Sequence, residues 1–430
     1  MNDIDTLLSQ ARTLAKSDHA DASAAIFNLL LQMQPTLIEA HVYLAGHALR
    51  HGDPGAAVAH CEQAVNANQD DVELHKSLAV ALCELMKSER AEIDLDAIVS
   101  IQPHAYCSDL YRAHLQERRG NQRSALISYL RAIRTAQLRG FWLDQDTTQP
   151  WLLDLVVHAM EVAHAGRLQL FHEWLVPMQE LYGRDEMKRV AECLAMYLGQ
   201  IPTIYADPRQ KPGFLYFPGL PVAPVFDRKS LVFAEWYEAQ ANAIREEMLA
   251  IVSESTQIQP FHYQLTEAQR SNLTQGGSWD AYFFYRDGER FSAHHDACPA
   301  TSAVLAKLPL DHVRKHGPEV CFSLMRPSAH ILPHRGVTNT RAVLHLGLAI
   351  PEHCALNLVE VGAVKWREGG CFAFDDTYEH EAWNHSDTTR VILLGDIWNP
   401  YLTEAECAAT ADLIGLIGDF NASTAGAPLS

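Results

Sequence analysis

Apolar and small residues in the first third of the chain recur with a period of 34 residues. The positions in register are Ala11, Ala45, Ala79 and Ala113; Ser23, Ala57, Ala91 and Ala125; Phe27, Cys61, Leu95 and Tyr129; and Leu30, Ala64, Ile98 and Ala132. A helical hairpin cannot bury its apolar face alone, so similar hairpins stack on one another. The pattern predicts four hairpins over residues 1–140. The alternative is that the chain is rich in alanine by chance. Chance would then have to place small or apolar residues at the same four positions in each of four units.

The period resembles that of the tetratricopeptide repeat, with small residues where two helices cross and a proline, Pro35 or Pro103, ending units one and three. The tryptophan usual in that repeat is missing. Residues 141–200 keep a helical pattern but not the 34-residue register, and they are expected to form further hairpins that cap the array. Residues 201–227 hold six prolines, a density that breaks helices and favours extended chain. This stretch is expected to be the linker between two domains.

The pattern changes again in residues 228–421. One helical segment is expected from Arg228 to Val252, and after Trp279 short apolar runs alternate with turn signals. Such runs are typical of the strands of a jelly roll. The small and polar tail, residues 422–430, is expected to be disordered. The predicted fold class is therefore α+β multidomain: an α-helical repeat solenoid followed by a double-stranded β-helix, the jelly-roll or cupin-like fold.

Composition narrows the possible partners. The formal net charge of −19 argues against nucleic acid, which needs a basic face, and against anionic membrane surfaces. The chain shows no apolar run of about 20 residues and no signal peptide at its acidic N-terminus. Its nine cysteines are scattered without a CxxC pair, so neither a disulfide framework nor a zinc knuckle is indicated. We therefore expect a cytoplasmic protein.

Two histidines near the C-terminus lie in dense signatures. His334 lies in HILPHRGVTNTR (residues 330–341), His380 lies in FDDTYEHEAW (residues 374–383), and Arg390 follows ten residues after His380. Imidazole binds iron well, and an arginine offers a planar fork of donors to a carboxylate. Strand ends at one mouth of a jelly roll could bring the three together. A single histidine among 22 would more often be a surface or core residue, so the joint context carries this hypothesis.

These signatures closely resemble the aspartyl/asparaginyl β-hydroxylase family of iron(II)- and 2-oxoglutarate-dependent oxygenases. The resemblance runs from about residue 217 to residue 400 and is densest over 322–400. It implies that His334 and His380 are the iron ligands and that Ser323 and Arg390 bind the far carboxylate of 2-oxoglutarate. It also implies that His345 contacts the keto-acid end and that O2 is a further co-substrate. Arg341 resembles the family arginine thought to hold the substrate's acidic side chain.

Two departures from wider patterns stand out. Most oxygenases of this class use a third, carboxylate ligand two residues after the first histidine, and this chain has Gly336 there, as the resembled family does. Water could fill this third coordination position of the iron. Four carboxylates near His380 are rival ligands: Asp375, Asp376, Glu379 and Glu381. We expect them instead to be turn residues or to orient the imidazole. Val343 stands where animal members of the family carry an arginine, which puts the substrate in question. The sequence His294-His295-Asp296 could mimic a metal site but is expected to be a loop.

The resemblance implies hydroxylation of an unactivated carbon coupled to decarboxylation of 2-oxoglutarate. The expected substrate is the β-carbon of Asp or Asn in a peptide or protein, held by the repeat domain, because helical repeat arrays present long concave surfaces. One alternative keeps the oxygenase but assigns it a lipid or small metabolite. Another is a non-catalytic repeat-based adaptor for protein interactions.

Overall fold

The computed structural model describes residues 3–17, 19–69, 71–102, 105–254 and 256–424. These residues form two compact units. The first holds the described residues up to Leu170 together with those from Phe420 onward, and the second runs from Phe171 to Asp419. A helical N-terminal region and a C-terminal region built on antiparallel sheets are as the sequence predicted.

The first unit is built from helix hairpins. Its helices are α1 (Asp3–Lys16), α2 (Ala20–Met33), α3 (Ile38–Arg50), α4 (Pro54–Ala67), α5 (Val72–Leu85), α6 (Ala91–Ile101), α7 (Tyr106–Arg118) and α8 (Gln122–Leu138). The first helices of successive hairpins begin at residues 3, 38, 72 and 106, so they are 35, 34 and 34 residues apart. The periodic residues of the second helices, such as Phe27, Cys61, Leu95 and Tyr129, are all buried. Pro103, predicted to end the third unit, lies outside the described residues.

Residues 141–200 differ from the expected set of further hairpins. They contain one long helix, α9 (Leu153–Tyr182), which continues from the first unit into the second, and the shorter α10 (Lys188–Tyr197). Helix α10 buries Val190, Cys193 and Leu194 in a cluster that also contains Phe217 and Ala409. Because its apolar face packs against residues of the C-terminal region, α10 belongs to the second unit.

The proline-rich stretch is not a free linker. Its backbone donates to the chain around the two predicted histidine ligands: Gly213 N to Gly336 O at 3.1 Å, Phe214 N to Val337 O at 2.9 Å, and Lys211 N to Thr377 O at 3.1 Å. Prolines keep such a segment extended while the other residues supply the donors. Residues 201–227 therefore form part of the second unit, and we call them the strap.

Most helices of the second unit lie before Val320 in the chain, and eight consecutive strands and one last helix follow. The remaining helices are α11 (Ala234–Glu238), α12 (Ala241–Glu254), α13 (Glu267–Ser271), α14 (Ser292–Ala297), α15 (Pro299–Leu305) and α16 (Glu404–Thr424). The helix expected from Arg228 to Val252 is thus divided into a short 3-10 turn, α11 and α12. Helix α16 belongs to the second unit up to Asp419 and ends at Thr424. Residues 422–424 were expected to be disordered, but they are helical. The rest of the predicted tail, 425–430, lies outside the described residues.

Two antiparallel sheets form the centre of this unit. The strands are β1 (Gln259–Pro260), β2 (Thr274–Gln275), β3 (Trp279–Arg286), β4 (Glu289–Arg290), β5 (Val320–Met325), β6 (His330–His334), β7 (Arg341–Ala349), β8 (Cys354–Leu358), β9 (Gly362–Val364), β10 (Cys371–Phe374), β11 (His380–Asn384) and β12 (Arg390–Trp398). The larger sheet has the order β1-β3-β5-β12-β7-β10, with β4 paired to β3, and the smaller has the order β2-β6-β11-β8-β9.

Burial on both faces explains the apolar runs of the larger sheet. One face packs against α11, α12 and α15 through residues such as Tyr237, Ile244 and Leu305. The other face packs against the smaller sheet, where Val343 and Ile392 share a cluster with residues of β6, β8 and β11. A strand covered on both faces needs apolar side chains on both, so its sequence is continuous rather than alternating. In the described part of the chain, every helix is too short or too polar to cross a membrane.

Candidate active site

A cavity of about 270 Å³ opens between the two sheets. Its wall includes all six residues predicted to bind metal, co-substrate or substrate: Ser323, His334, Arg341, His345, His380 and Arg390. They come from β5, β6, β7, β11 and β12, so the two sheets together bring a dispersed set of residues to one place. The sequence could name these residues, and the structure shows that they share one cavity.

His334 and His380 are direct neighbours across the smaller sheet. His334 ends β6, His380 begins β11, and the two are paired in register with ring centroids 4.1 Å apart. Each ring donates from Nδ1 to the carbonyl two residues earlier, of Leu332 at 2.8 Å and of Tyr378 at 2.9 Å. These bonds fix the tautomer and leave each Nε2 with a free lone pair. Burial, and then the neighbouring His334, lower the pKa of His380 to about 4, so its ring is neutral, as a metal ligand must be.

Asp376 explains the glycine at the third ligand position. A Cβ built on Gly336 would overlap the carboxylate of Asp376. That carboxylate accepts from Arg341 Nη2 at 3.2 Å through Oδ2, whereas its buried Oδ1 has no partner. Among the described residues, groups of three metal-ligating atoms within 4.8 Å of one another occur only in the first unit, so the two histidines lack a third such partner.

The other rival carboxylates are engaged elsewhere. Asp375 accepts from Thr377 and Gln210, and Glu381 accepts from His330 and Asn357. Glu379 lies 3.6 Å from Arg335. All three lie outside the cavity wall. Asp375 stabilises the turn before β11, and the contacts of Glu379 and Glu381 lie at the surface of the smaller sheet.

Replacing Gly336 by aspartate is expected to lower activity rather than restore a carboxylate ligand. The new side chain would compete for the volume of the Asp376 carboxylate and would place two like charges together, which also disturbs the pair between Asp376 and Arg341. Thermal unfolding and the rate of 2-oxoglutarate turnover of Gly336→Asp measure both effects. Ala363→Asp, at an exposed position of the edge strand β9, is the control for added charge. Higher turnover in Gly336→Asp than in the parent would contradict this reading of the site.

Arg390 is a buried cation without an internal counter-ion. It is 2% exposed, its guanidinium lies 4.7 Å from the ring centroid of Trp366, and its Nη1 donates to the carbonyl of Ser323 at 3.2 Å and to the hydroxyl at 3.4 Å. Its Nε has no partner, and none of the carboxylates of the described residues forms an ion pair with it. Burial lowers the pKa of Arg390 to about 10. A desolvated guanidinium with spare donors is suited to bind a carboxylate from outside the chain.

Two tryptophans, which sequence reasoning missed, orient the polar groups around Arg390. Trp366 donates from Nε1 to Nδ1 of His345 at 3.1 Å, and Trp279 donates from Nε1 to the hydroxyl of Ser323 at 3.0 Å. Indole is only a donor, so Nδ1 of His345 is the acceptor and Nε2 carries the proton. Burial and the charge of Arg390 hold the pKa of His345 well below its usual range, so the ring is a neutral donor. Nothing in the sequence around Trp366 indicated this role.

Arg341 lines the cavity but is already paired. Its Nη1 donates to Asp396 at 2.9 Å and its Nη2 to Asp376 at 3.2 Å. Its predicted contact with an acidic substrate stays a prediction. Val343 lines the same wall and is buried.

The adjacent histidines His294 and His295 form no part of this cavity. They lie in the short helix α14, where a loop was expected, and both are buried. Nδ1 of His294 bonds to the carbonyl of Phe283 at 2.5 Å, and Nδ1 of His295 bonds to the hydroxyl of Ser302 at 2.8 Å. Both rings are thus bonded within the core through Nδ1, whereas the buried Nε2 of His295 has no partner among the described residues.

Comparison with known proteins identifies relatives of this region. Residues 238–400 match the sequence profile described as Aspartyl/Asparaginyl beta-hydroxylase. Human aspartyl/asparaginyl beta-hydroxylase is 31% identical over 189 residues, which are 43% of this chain and 24% of the human protein. The ornithine lipid ester-linked acyl 2-hydroxylase of Rhizobium tropici is 32% identical over 184 residues, 42% of this chain and 63% of the relative. The chain therefore matches less than two thirds of the length of either relative.

A solved structure gives a weaker likeness. The prolyl-4-hydroxylase of Pseudomonas putida aligns over 37% of this chain and 87% of its own, with 16% identity and a TM-score of 0.24. At that identity and score the likeness carries no functional argument.

Proposed function

We propose that this protein is an iron(II)- and 2-oxoglutarate-dependent dioxygenase that hydroxylates a carbon of its substrate, because residues 238–400 match the aspartyl/asparaginyl β-hydroxylase profile. The observation that carries the proposal is Arg390, a buried guanidinium with unused donors at the wall of a cavity that also holds His334 and His380. A cation left unpaired in the interior is costly unless an anion binds to it.

The residues around Arg390 fit a dicarboxylate co-substrate. Arg390 and Ser323 would bind the far carboxylate of 2-oxoglutarate, the first through charge-assisted hydrogen bonds and the second through its hydroxyl. The hydroxyl of Ser323 already accepts from Trp279, so its own proton is available to donate. His345 would donate from Nε2 to the keto-acid end of the co-substrate. The indole of Trp366 covers one side of the Arg390 guanidinium.

His334 and His380 would hold the metal. Their Nδ1 atoms are engaged with backbone carbonyls, so both present Nε2, and the low pKa of His380 keeps its lone pair free. Iron(II) bound there would supply the activation of O2 that couples decarboxylation of 2-oxoglutarate to succinate with insertion of one oxygen atom into a C–H bond. Asp376, beside this pair, leaves one carboxylate oxygen available to accept a hydrogen bond.

The first candidate for the substrate is an Asp or Asn residue of a peptide or protein, after the human relative. The four helix hairpins of the first unit support a chain-like substrate, because repeats of this kind present extended concave surfaces. The second candidate is a lipid acyl chain, after the Rhizobium tropici relative, and the apolar residues of the cavity wall, such as Ile331, Leu356 and Ile392, favour it. A non-catalytic adaptor is disfavoured, because it would have no need to keep six polar site residues at one cavity.

We test the proposal by measuring succinate formed from 2-oxoglutarate in the presence of iron(II), ascorbate and O2. We expect turnover that requires all three of metal, 2-oxoglutarate and O2, and mass spectrometry of a treated proteome should show peptides that gain one oxygen. Reactions without iron or without O2 are the controls. Absence of succinate above these controls, with protein that unfolds cooperatively, would contradict the proposed activity.

A further inference from the structure

Among its described residues, the first unit holds two groups of three side chains that carry metal-ligating atoms close together. In each group, one ligand atom of every residue lies within 4.8 Å of the other two. The groups are Asp21 with His47 and His51, and His114 with Glu117 and His158. None of these residues lines the cavity of the second unit, so the proposed dioxygenase does not use them.

The first group is open to solvent. The side chain of Asp21 is 85% exposed and that of His51 is 53% exposed. Side chains as exposed as these keep their hydration, and the cost of holding them in one geometry offsets most of what their contacts contribute. We therefore assign no metal to this group, and its histidines provide a control for the second group.

The second group joins α7 to α9. His114 and Glu117 are three residues apart on α7, a spacing that places both side chains on one face of the helix. Nε2 of His158, on α9, lies 2.7 Å from Oε2 of Glu117, and its ring centroid is 6.4 Å from that of His114. The side chain of Glu117 is 20% exposed and that of His158 is 43% exposed. The group is thus partly shielded but still open to water.

The surroundings of the second group suit a cation. Tyr129, on α8, donates from its hydroxyl to Oε2 of Glu117 at 2.7 Å. Burial opposes the charge of Glu117, but the hydrogen bonds from His158 and Tyr129 hold its pKa below the ordinary value. Burial lowers the pKa of His114, and Nδ1 of that ring has no partner among the described residues. The three helices therefore place an ionised, oriented carboxylate beside two imidazoles.

We propose that His114, Glu117 and His158 bind one zinc ion, which links α7 to α9. Two imidazoles and one carboxylate are a ligand set that zinc uses when water takes its fourth position. Ligand atoms bound to a tetrahedral zinc lie roughly 3.3 Å apart, so small side-chain rotations from the present separations suffice. Zinc takes the place of the proton between His158 and Glu117, and that proton moves to Nδ1 of His158 or to solvent. The hydroxyl of Tyr129 orients the carboxylate without binding the metal.

The test measures zinc bound by the full chain. His334→Ala and His380→Ala are both introduced, so that the proposed iron ligands do not contribute, and the metal-free protein is titrated with zinc(II) against a chromophoric chelator. We expect one zinc ion per chain. His114→Gln, Glu117→Gln and His158→Gln should each weaken zinc binding by more than about 100-fold, because replacing even a group that only orients a ligand costs about 10- to 100-fold.

Thermal unfolding gives a second measurement. An ion that binds only the folded chain raises its melting temperature. Zinc should therefore raise the melting temperature of the starting chain and leave that of the His114→Gln chain unchanged. Circular dichroism without zinc should show the same helix content in both. An equal rise in both chains overturns the proposal.

Two histidine variants are the controls. His164→Gln changes an exposed histidine on the same helix as His158, and His47→Gln changes the exposed group; both should bind zinc like the starting chain. Absence of bound zinc in the starting chain, or loss of zinc in His47→Gln but not in His114→Gln, overturns the proposal.

The same glutamine variants are also made in the chain that keeps both proposed iron ligands. Each should bind one zinc ion fewer than the unaltered chain, so the answer does not depend on how well the double-alanine chain folds. An unchanged zinc content would show that the group in the first unit holds no metal.

Discussion

A chain with alanine in place of His334 or His380 is expected to lose iron-dependent conversion of 2-oxoglutarate to succinate completely. The two rings face each other in register, and the described residues provide no third protein ligand beside them. A single remaining imidazole would have to hold the metal, and open iron(II) sites depend on every protein ligand they have. The measurement is succinate formation over a titration of iron(II), with bound iron counted per chain.

The matched control is His385→Ala, which removes an exposed histidine five residues after His380. It should keep the parent's turnover and iron content. Parent-like turnover in His334→Ala or His380→Ala would show that the residue concerned is not a ligand. A loss of thermal stability in these variants would also require iron binding to be measured on the folded fraction alone.

Arg390→Ala is expected to raise the apparent constant for 2-oxoglutarate steeply while iron binding stays near normal. Removing one partner of a buried, hydrogen-bonded charge pair costs on the order of 2–5 kcal/mol. That corresponds to roughly 30-fold to several-thousand-fold in affinity. Arg390→Lys should fall between the parent and the alanine variant, because an ammonium keeps the charge but cannot form two parallel hydrogen bonds or stack in the same way on Trp366.

Arg326→Ala provides the control for loss of an arginine. This residue follows β5, is partly exposed, and pairs with Asp280 at 2.8 Å outside the cavity wall. It should titrate with 2-oxoglutarate like the parent. If Arg390→Ala behaves in the same way, the co-substrate binds elsewhere and the assignment of Arg390 has to be withdrawn.

The helical half of the fold could be predicted because its signal is repetitive. Each hairpin buries residues such as Phe27 and Leu95 at the same offset, so four weak patterns reinforce one another. The two histidines were singled out for another reason: each lies in a local signature whose residue types are specific, and Arg390 follows the second signature. Both kinds of information are local in sequence.

The rest of the site depends on contacts between distant segments. The carboxylate that fills the space above Gly336 comes from Asp376, 40 residues later, and the indole that orients His345 comes from Trp366 on an irregular segment. The proline-rich stretch was interpreted as a linker because prolines indicate extended chain but not what that chain contacts. The contacts of Asp376 with Gly336 and of Trp366 with His345 form only when distant segments pack together. No local pattern in the sequence predicts them.

The strap has a practical consequence for dissecting the protein. A fragment that starts at residue 228, the boundary suggested by sequence, would lack the donors of Lys211, Gly213 and Phe214 that hold the chain just after His334 and just before His380. It would also lack α10, whose apolar face would leave part of the core uncovered. A catalytic fragment for expression should instead begin ahead of Phe171. Proteolytic nicking between residues 205 and 217 should inactivate the enzyme even though every site residue remains on one polypeptide.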